Sequence, residues 1–137
     1  MWRCNPASVT KGSERVLCGE FWFDFGDTSF PDENWLDFVS PVFGWWCAEF
    51  DRLKDTGKAE FEFMDSPCAI SAVSQKQDVS LVGFWSGERR ASCQMPVSDF
   101  QAGFVKILIA FEDACRDANF QQDAEWLQDL RVRYFGK

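Results

Sequence analysis

The sequence contains no histidine, and this absence removes a large group of mechanisms. Without imidazole there is no Ser-His or Cys-His pair for nucleophilic catalysis and no histidine ligand for zinc. The sequence also lacks a G-x-S-x-G motif and a glycine-rich phosphate loop. We therefore expect a protein that binds a partner and not an enzyme.

Long hydrophobic runs are absent as well. No stretch approaches the roughly 18 consecutive apolar residues of a membrane-spanning helix. Residues 1–20 contain no apolar run of the length that a signal peptide needs. These features predict a cytoplasmic protein with no membrane partner.

Closely spaced cysteines are the third absence. The six cysteines contain no C-x-x-C pair, and most of them lie within apolar segments. Structural zinc requires clustered ligands, and a thiol inside an apolar segment behaves as a small buried hydrophobic group. We therefore predict that the thiols are free, in a reducing compartment, and that they do not form a disulfide framework. We also expect no metal and no other cofactor. The cysteines are Cys4, Cys18, Cys47, Cys68, Cys93 and Cys115.

What the sequence does contain is aromatic and acidic. The 137 residues suit a single domain, and an aromatic share of 17% excludes a disordered tail. Asp and Glu number 22 against 14 Lys and Arg, which gives a net charge of −8. A chain with this charge is a poor ligand for a phosphate backbone, so no nucleic-acid partner is expected.

Hydrophobic periodicity predicts an α+β fold of one domain, residues 1–137, in the order β-α-ββββ-α-α. We expect a roughly five-stranded, mostly antiparallel sheet with helices packed on one face. Residues 1–13 are predicted to be a loosely ordered lead-in. The predicted strands are 14–25, 58–65, 68–74, 78–86 and 89–95, and the predicted helices are 32–55, 98–118 and 122–133.

Two helix starts are assigned from capping signals. Asp32 is a plausible N-cap for the first helix, in which Pro41 should cause a kink or a restart after Ser40. Ser98 and Gln101 fit a capping box at the start of the second helix.

Alternation also predicts which polar side chains face solvent. On the first strand, Trp22 points away from the core between Glu20 and Asp24, and Asp27 follows in the turn. On the next strand, Glu60 and Glu62 point outward. If these two strands are neighbours, the carboxylates form one negative field that attracts a basic partner. An outward Trp among carboxylates is typical of an interface anchor, although a helix or the lead-in could cover it. The predicted partner-binding residues are therefore Glu20, Trp22, Asp24, Asp27, Glu60 and Glu62.

One family resemblance follows from the run FWFDFGDTSFPDENWLDFVSPVFGWW, the later FEFMDSPCAI, a strand pair and a helix ending near Cys115. Over about residues 16–118 this layout resembles bacterial immunity proteins of polymorphic or contact-dependent growth inhibition toxin systems. The resemblance implies tight binding of one cognate toxin domain, often a basic nuclease, with its active site or an adjoining surface blocked. It carries no residue-level motif.

Other functions remain open at this stage. The aromatic content is also compatible with a small-molecule binding module that has a pocket between sheet and helices. Pairs such as Glu60 and Glu62 could serve acid–base chemistry or hold a hard metal ion, but such pairs on a strand usually form a solvated face. We expect a monomer rather than a homodimer.

Overall fold

The α+β class is confirmed by the computed structural model, which describes residues 1–12 and 14–137. The described chain forms two antiparallel sheets of four strands each, together with three helices. The strands are β1 (Trp2–Lys11), β2 (Leu17–Asp24), β3 (Ser29–Phe30), β4 (Leu36–Phe38), β5 (Lys58–Glu62), β6 (Cys68–Gln75), β7 (Asp78–Trp85) and β8 (Glu88–Pro96). The helices are α1 (Val39–Thr56), α2 (Val97–Asp117) and α3 (Gln121–Phe135).

The expectation of one five-stranded sheet is wrong, because β2 does not join the later strands. It pairs with β1 along one edge and with the short strands β3 and β4 along the other, which makes sheet A. The predicted meander of β5, β6, β7 and β8 forms sheet B by itself. The two sheets and the helices enclose one shared core.

The amino-terminal segment is the first reason for this difference. It is not a loose lead-in, since β1 pairs with β2 along most of its length and Trp2 is only 5% exposed. Pro6 and an irregular register between Asn5 and Thr10 disturb the alternation that would mark a strand. The sequence pattern therefore conceals this strand.

The start of α1 also differs from the prediction. Residues 32–38 form a loop and the strand β4, so Asp32 does not cap a helix. Ser40 has extended backbone angles, and the helix proper begins after it, as the restart alternative expected. The helix ends as predicted at Gly57, which has φ of 80° and donates its N–H to the carbonyl of Leu53.

The predicted capping box of α2 is not formed. The helix begins at Val97 with Pro96 in the N-cap position, which places Ser98 inside the first turn. No side chain caps this helix start. The apolar stripe of α2 is nevertheless buried as expected, including Phe100, Phe104 and Phe111.

Aromatic rings hold the layers together. The indole of Trp46 on α1 lies 4.9 Å from the ring of Trp2, 5.4 Å from Phe21 and 5.9 Å from Phe104, measured between ring centroids. On the sheet B side its neighbours are Phe61 at 6.0 Å and Phe63, just beyond β5, at 5.1 Å. Aromatic pairs in this distance range contribute beyond their buried area. Both sheets and two helices therefore meet at one side chain.

One contact between the two sheets depends on a glycine. Gly83 on β7 faces the ring of Phe30 on β3, and a Cβ atom at position 83 would lie 2.9–3.1 Å from three of its ring atoms. Real side chains do not come so close. The absence of a side chain at this position lets sheet A pack on the inner face of sheet B.

We predict that Gly83→Ala lowers the free energy of unfolding by about 1–3 kcal/mol, because it overpacks the contact with Phe30. Urea denaturation of both proteins measures the difference. Gly44→Ala is the matched control, since a Cβ there meets Trp126 at an ordinary 3.5 Å and replaces glycine within a helix. Equal destabilisation by both substitutions would show that overpacking against Phe30 is not the cause.

Candidate functional site

The predicted outward residues of β2 do lie on the outer face of sheet A. Glu20, Trp22 and Asp24 are partly exposed, whereas the intervening Phe21 and Phe23 are completely buried. Asp27 is exposed in the turn that follows. The alternation therefore assigns the faces of this strand correctly, and the role of these residues in binding stays a prediction.

Part of this face is already occupied by interactions with β1. Asp24 Oδ2 lies 3.4 Å from Arg3 Nη2, and Asp24 Oδ1 accepts the N–H of Gly26 at 2.8 Å. The Gly26 hydrogen bond, with smaller contributions from the amino terminus and Arg3, lowers the pKa of Asp24 below its ordinary value. Asn5 Nδ2 donates to Glu20 Oε1 at 3.2 Å. Both carboxylates on this face, Glu20 and Asp24, therefore have partners within the chain.

Glu60 and Glu62 are exposed on a different surface, the outer face of sheet B. Because β5 pairs with β6 and not with β2, the condition for one continuous acidic face through strand pairing is not met. The two groups of carboxylates belong to the outer faces of two sheets. Any link between them has to come from other residues.

Asp37 on β4 provides such a link. Its side chain is 2% exposed, and its carboxylate accepts four N–H groups. Phe38 donates its backbone N–H to Oδ1 at 2.7 Å, and the indole of Trp35 donates to Oδ2 at 3.0 Å. The backbone N–H groups of Met64 and Asp65 donate to Oδ2 at 3.1 and 3.3 Å. Asp37 thereby ties the edge of sheet A to the loop after β5.

The prediction of a helix over residues 32–55 misses this role, because it places Asp37 within the helix. The only local signal is a carboxylate within the apolar stretch Trp35–Val39. Two of its three backbone donors, Met64 and Asp65, come from positions 27 and 28 residues further along the chain. A local pattern carries no information about donors so far away.

Two exposed apolar side chains flank Asp37. Leu36, its neighbour on β4, is 51% exposed, and Met64, whose N–H it binds, is 48% exposed. Glu20 lies directly across from Leu36 in the β2–β4 register, and Asp65 follows Met64. We call this group of Glu20, Leu36, Met64 and Asp65 the Asp37 junction. It combines apolar side chains with surrounding carboxylates at the place where the two sheets are connected.

The free edge of β5 is closed by side chains from α1. Glu49 Oε1 accepts the N–H of Glu60 at 2.7 Å, and the indole of Trp46 donates to the carbonyl of Glu62 at 2.8 Å. Thr56 Oγ1 donates to the carbonyl of Lys58 at 3.1 Å. An edge whose polar groups are satisfied in this way is protected against pairing with another strand. Trp45, 43% exposed, borders the groove between α1 and this edge.

The cysteines are not paired with one another. Burial raises the pKa of Cys47 to about 12 and the pKa values of Cys4 and Cys115 to about 11. The thiolate is the reactive form, and these groups stay protonated at neutral pH. Their arrangement supports a packing role and gives no activated nucleophile.

A metal site and a membrane-spanning helix are two further features that the structure can reveal. In the parts of the chain it describes, no three side chains of His, Cys, Asp or Glu are grouped so that they could hold a metal ion. None of the helices in residues 1–12 and 14–137 has the length and apolar character needed to cross a membrane.

Comparisons with protein-family models, with curated proteins and with solved structures gave no significant match to this chain. The resemblance to immunity proteins therefore stays a hypothesis. The function is therefore inferred from the geometry of the chain.

We predict that Asp37→Asn lowers the free energy of unfolding by about 2–4 kcal/mol, because an amide cannot accept four N–H groups and leaves some of them buried without partners. Chemical denaturation measures this change. Asp65→Asn is the control, since that side chain is exposed and its backbone donor is retained. An unchanged stability of Asp37→Asn would show that the carboxylate does not hold the sheets together.

Proposed function

We propose that this protein is an inhibitor of the immunity type, which binds a basic toxin domain through the Asp37 junction. The observation that carries the proposal is the placement of half-exposed Leu36 and Met64 beside the carboxylates of Glu20 and Asp65. Apolar anchors within a polar rim are the common composition of protein interfaces. The proposal makes the activity one of binding and occlusion.

Charge supports a basic partner. The chain has a net charge of −8, and it contains no Lys or Arg between Arg15 and Arg52. Of the strands that form sheet A, β2, β3 and β4 all fall within this stretch. A surface with this excess of negative charge accelerates association with a positively charged domain, an effect that salt weakens.

The aromatic residues favour a protein partner over a small molecule. Trp2, Phe50, Phe100 and Phe104 pack against one another with ring centroids 5.2–5.9 Å apart. These side chains fill the space between sheets and helices, where a ligand pocket was the alternative. Leu36 and Met64, by contrast, are apolar side chains that reach solvent on the open surface of the junction.

The first test uses the apolar anchors. A tagged pull-down at low and high salt provides candidate partners, and a basic toxin-like domain recovered in it is the probe for titration. We predict that Leu36→Ala with Met64→Ala raises the dissociation constant about 100-fold, since loss of two interface anchors costs roughly 1–2 kcal/mol each. Ile109→Ala with Val132→Ala is the matched control, because those side chains are similarly exposed on α2 and α3. Equal affinity of the two double variants would exclude the junction as the binding surface.

The second test uses charge. We predict that Glu20→Lys with Asp65→Lys weakens binding and reduces its dependence on salt concentration, because both reversals oppose a basic partner. Asp113→Lys with Asp117→Lys changes the net charge by the same amount at exposed positions on α2. The association rate at several salt concentrations distinguishes the variants. If both pairs reduce the rate equally, only net charge matters and the surface lies elsewhere.

A further inference from the structure

The outer face of sheet B is the face opposite the core, and it carries small and medium-sized side chains together with one large side chain, Phe84. The burial pattern of β5, β6 and β7 alternates strictly along most of their length, which separates this face from the core face. Both long helices contribute their buried stripes to the core side. The outward residues of the two central strands are Ala69, Ser71 and Val73 on β6 and Ser80, Val82 and Phe84 on β7.

Side-chain size on this face follows a regular pattern. In the β6–β7 register, Ala69 is opposite Phe84, Ser71 is opposite Val82, and Val73 is opposite Ser80. Each cross-strand pair therefore contains one large and one small residue. The large residue is on β7 in the first two pairs and on β6 in the third.

Charge on the same face is divided between its two edges. The row that contains Ala69 and Phe84 continues to Glu62 on β5 at one end and to Arg89 on β8 at the other. Both end residues are exposed. This row is thus acidic at its β5 end and basic at its β8 end.

We propose that this face binds the same face of a second copy of the chain, related by a two-fold axis that runs parallel to the strands between β6 and β7. Rotation about this axis leaves each cross-strand row at the same position along the strand direction. It reverses the order of the strands, so that β6 of one copy faces β7 of the other and β5 faces β8. Phe84 then faces Ala69 of the second copy, and Glu62 faces Arg89 of the second copy. Two sheets that pack face to face in a roughly aligned manner interdigitate side chains in this way.

The surface has a place for the largest of these side chains. A hollow of about 620 Å³ lies on this face, and Glu62, Ala69, Ser71 and Phe84 are among the residues that line it. Each copy offers Phe84 to the hollow over Ala69 of the other. The size pattern, the charge pattern and the hollow therefore agree with a single symmetric arrangement.

Extension of sheet B at its edges is a poorer way to associate. The β5 edge is closed by Glu49, Trp46 and Thr56. The β8 edge carries Pro96, which has no N–H, and charged Arg89 and Arg90, features that resist strand addition. The dimer does not rest on the proposed function, because Glu62, Ala69, Phe84 and Arg89 are not residues of the Asp37 junction.

The test is sedimentation equilibrium of the full chain at low salt over a wide concentration range. The expected result is a reversible dimer with twice the monomer mass of 15.8 kDa. Glu62→Arg and Arg89→Glu should each raise the dimer dissociation constant about tenfold or more, because each places two like charges in opposition. The double variant that exchanges both charges should restore the dimer.

Single reversals at an ion pair elsewhere control for changes in overall charge. Asp129→Arg and Arg133→Glu change the net charge by the same amounts as Glu62→Arg and Arg89→Glu, at an exposed ion pair on α3, and each should leave the dimer unchanged. Phe84→Ala tests the apolar contact, and circular dichroism verifies that each variant is folded. A monomer at every concentration would overturn the proposal, and so would a dimer that is insensitive to both single charge reversals. Restoration by the double variant would support it.

Discussion

The packing of aromatic rings around Trp46 is the interaction on which the rest of this structure depends. Its indole contacts Trp2 from β1, Phe21 from β2, Phe61 from β5 and Phe104 from α2. The indole N–H also donates to the carbonyl of Glu62, so the ring is fixed by a directional bond as well. Because two separate sheets and two helices share this one contact, neither sheet has a complete core without the other.

Polar contacts then determine how the two sheets are joined at the surface. The carboxylate of Asp37 collects N–H groups from β4 and from the loop after β5, while Glu49 satisfies a backbone N–H at the edge of β5. Buried or edge N–H groups without an acceptor would cost stability. The side chains of Asp37 and Glu49 therefore satisfy backbone N–H groups at the junction between the sheets and at the edge of β5.

The same arrangement separates two surfaces with different character. At the Asp37 junction, the half-exposed apolar side chains of Leu36 and Met64 lie next to the carboxylates of Glu20 and Asp65, which suits a partner of opposite charge. The outer face of sheet B carries both signs, with Glu62 and Arg89 at opposite ends of one row, which suits a second copy of itself. An acidic protein can in this way bind a basic domain through one surface and associate with itself through another.

Elements with a long and regular hydrophobic period can be predicted from the amino-acid sequence alone. The alternation in residues 17–25 and in β5, β6 and β7 correctly assigned both strands and faces, including the outward positions of Trp22, Glu60 and Glu62. The gap between the predicted strands 78–86 and 89–95 and the gap between the predicted helices 98–118 and 122–133 also agree with the structure, which has positive φ at Ser86, Gly87 and Asn119. Local backbone preference and side-chain period are properties of neighbouring residues, so a single sequence contains them.

Features that depend on contacts between residues far apart in the sequence are visible only in the tertiary structure. The short strands β3 and β4 have too few residues for a period, and the spacing of Trp35, Phe38, Val39 and Val42 imitates a helix although the first two lie outside it. The acceptor role of Asp37, the fit of Phe30 against Gly83 and the paired sizes on sheet B all require the register between separate segments. Register is set by which strands meet in the folded core, and the order of residues within each strand does not contain that information.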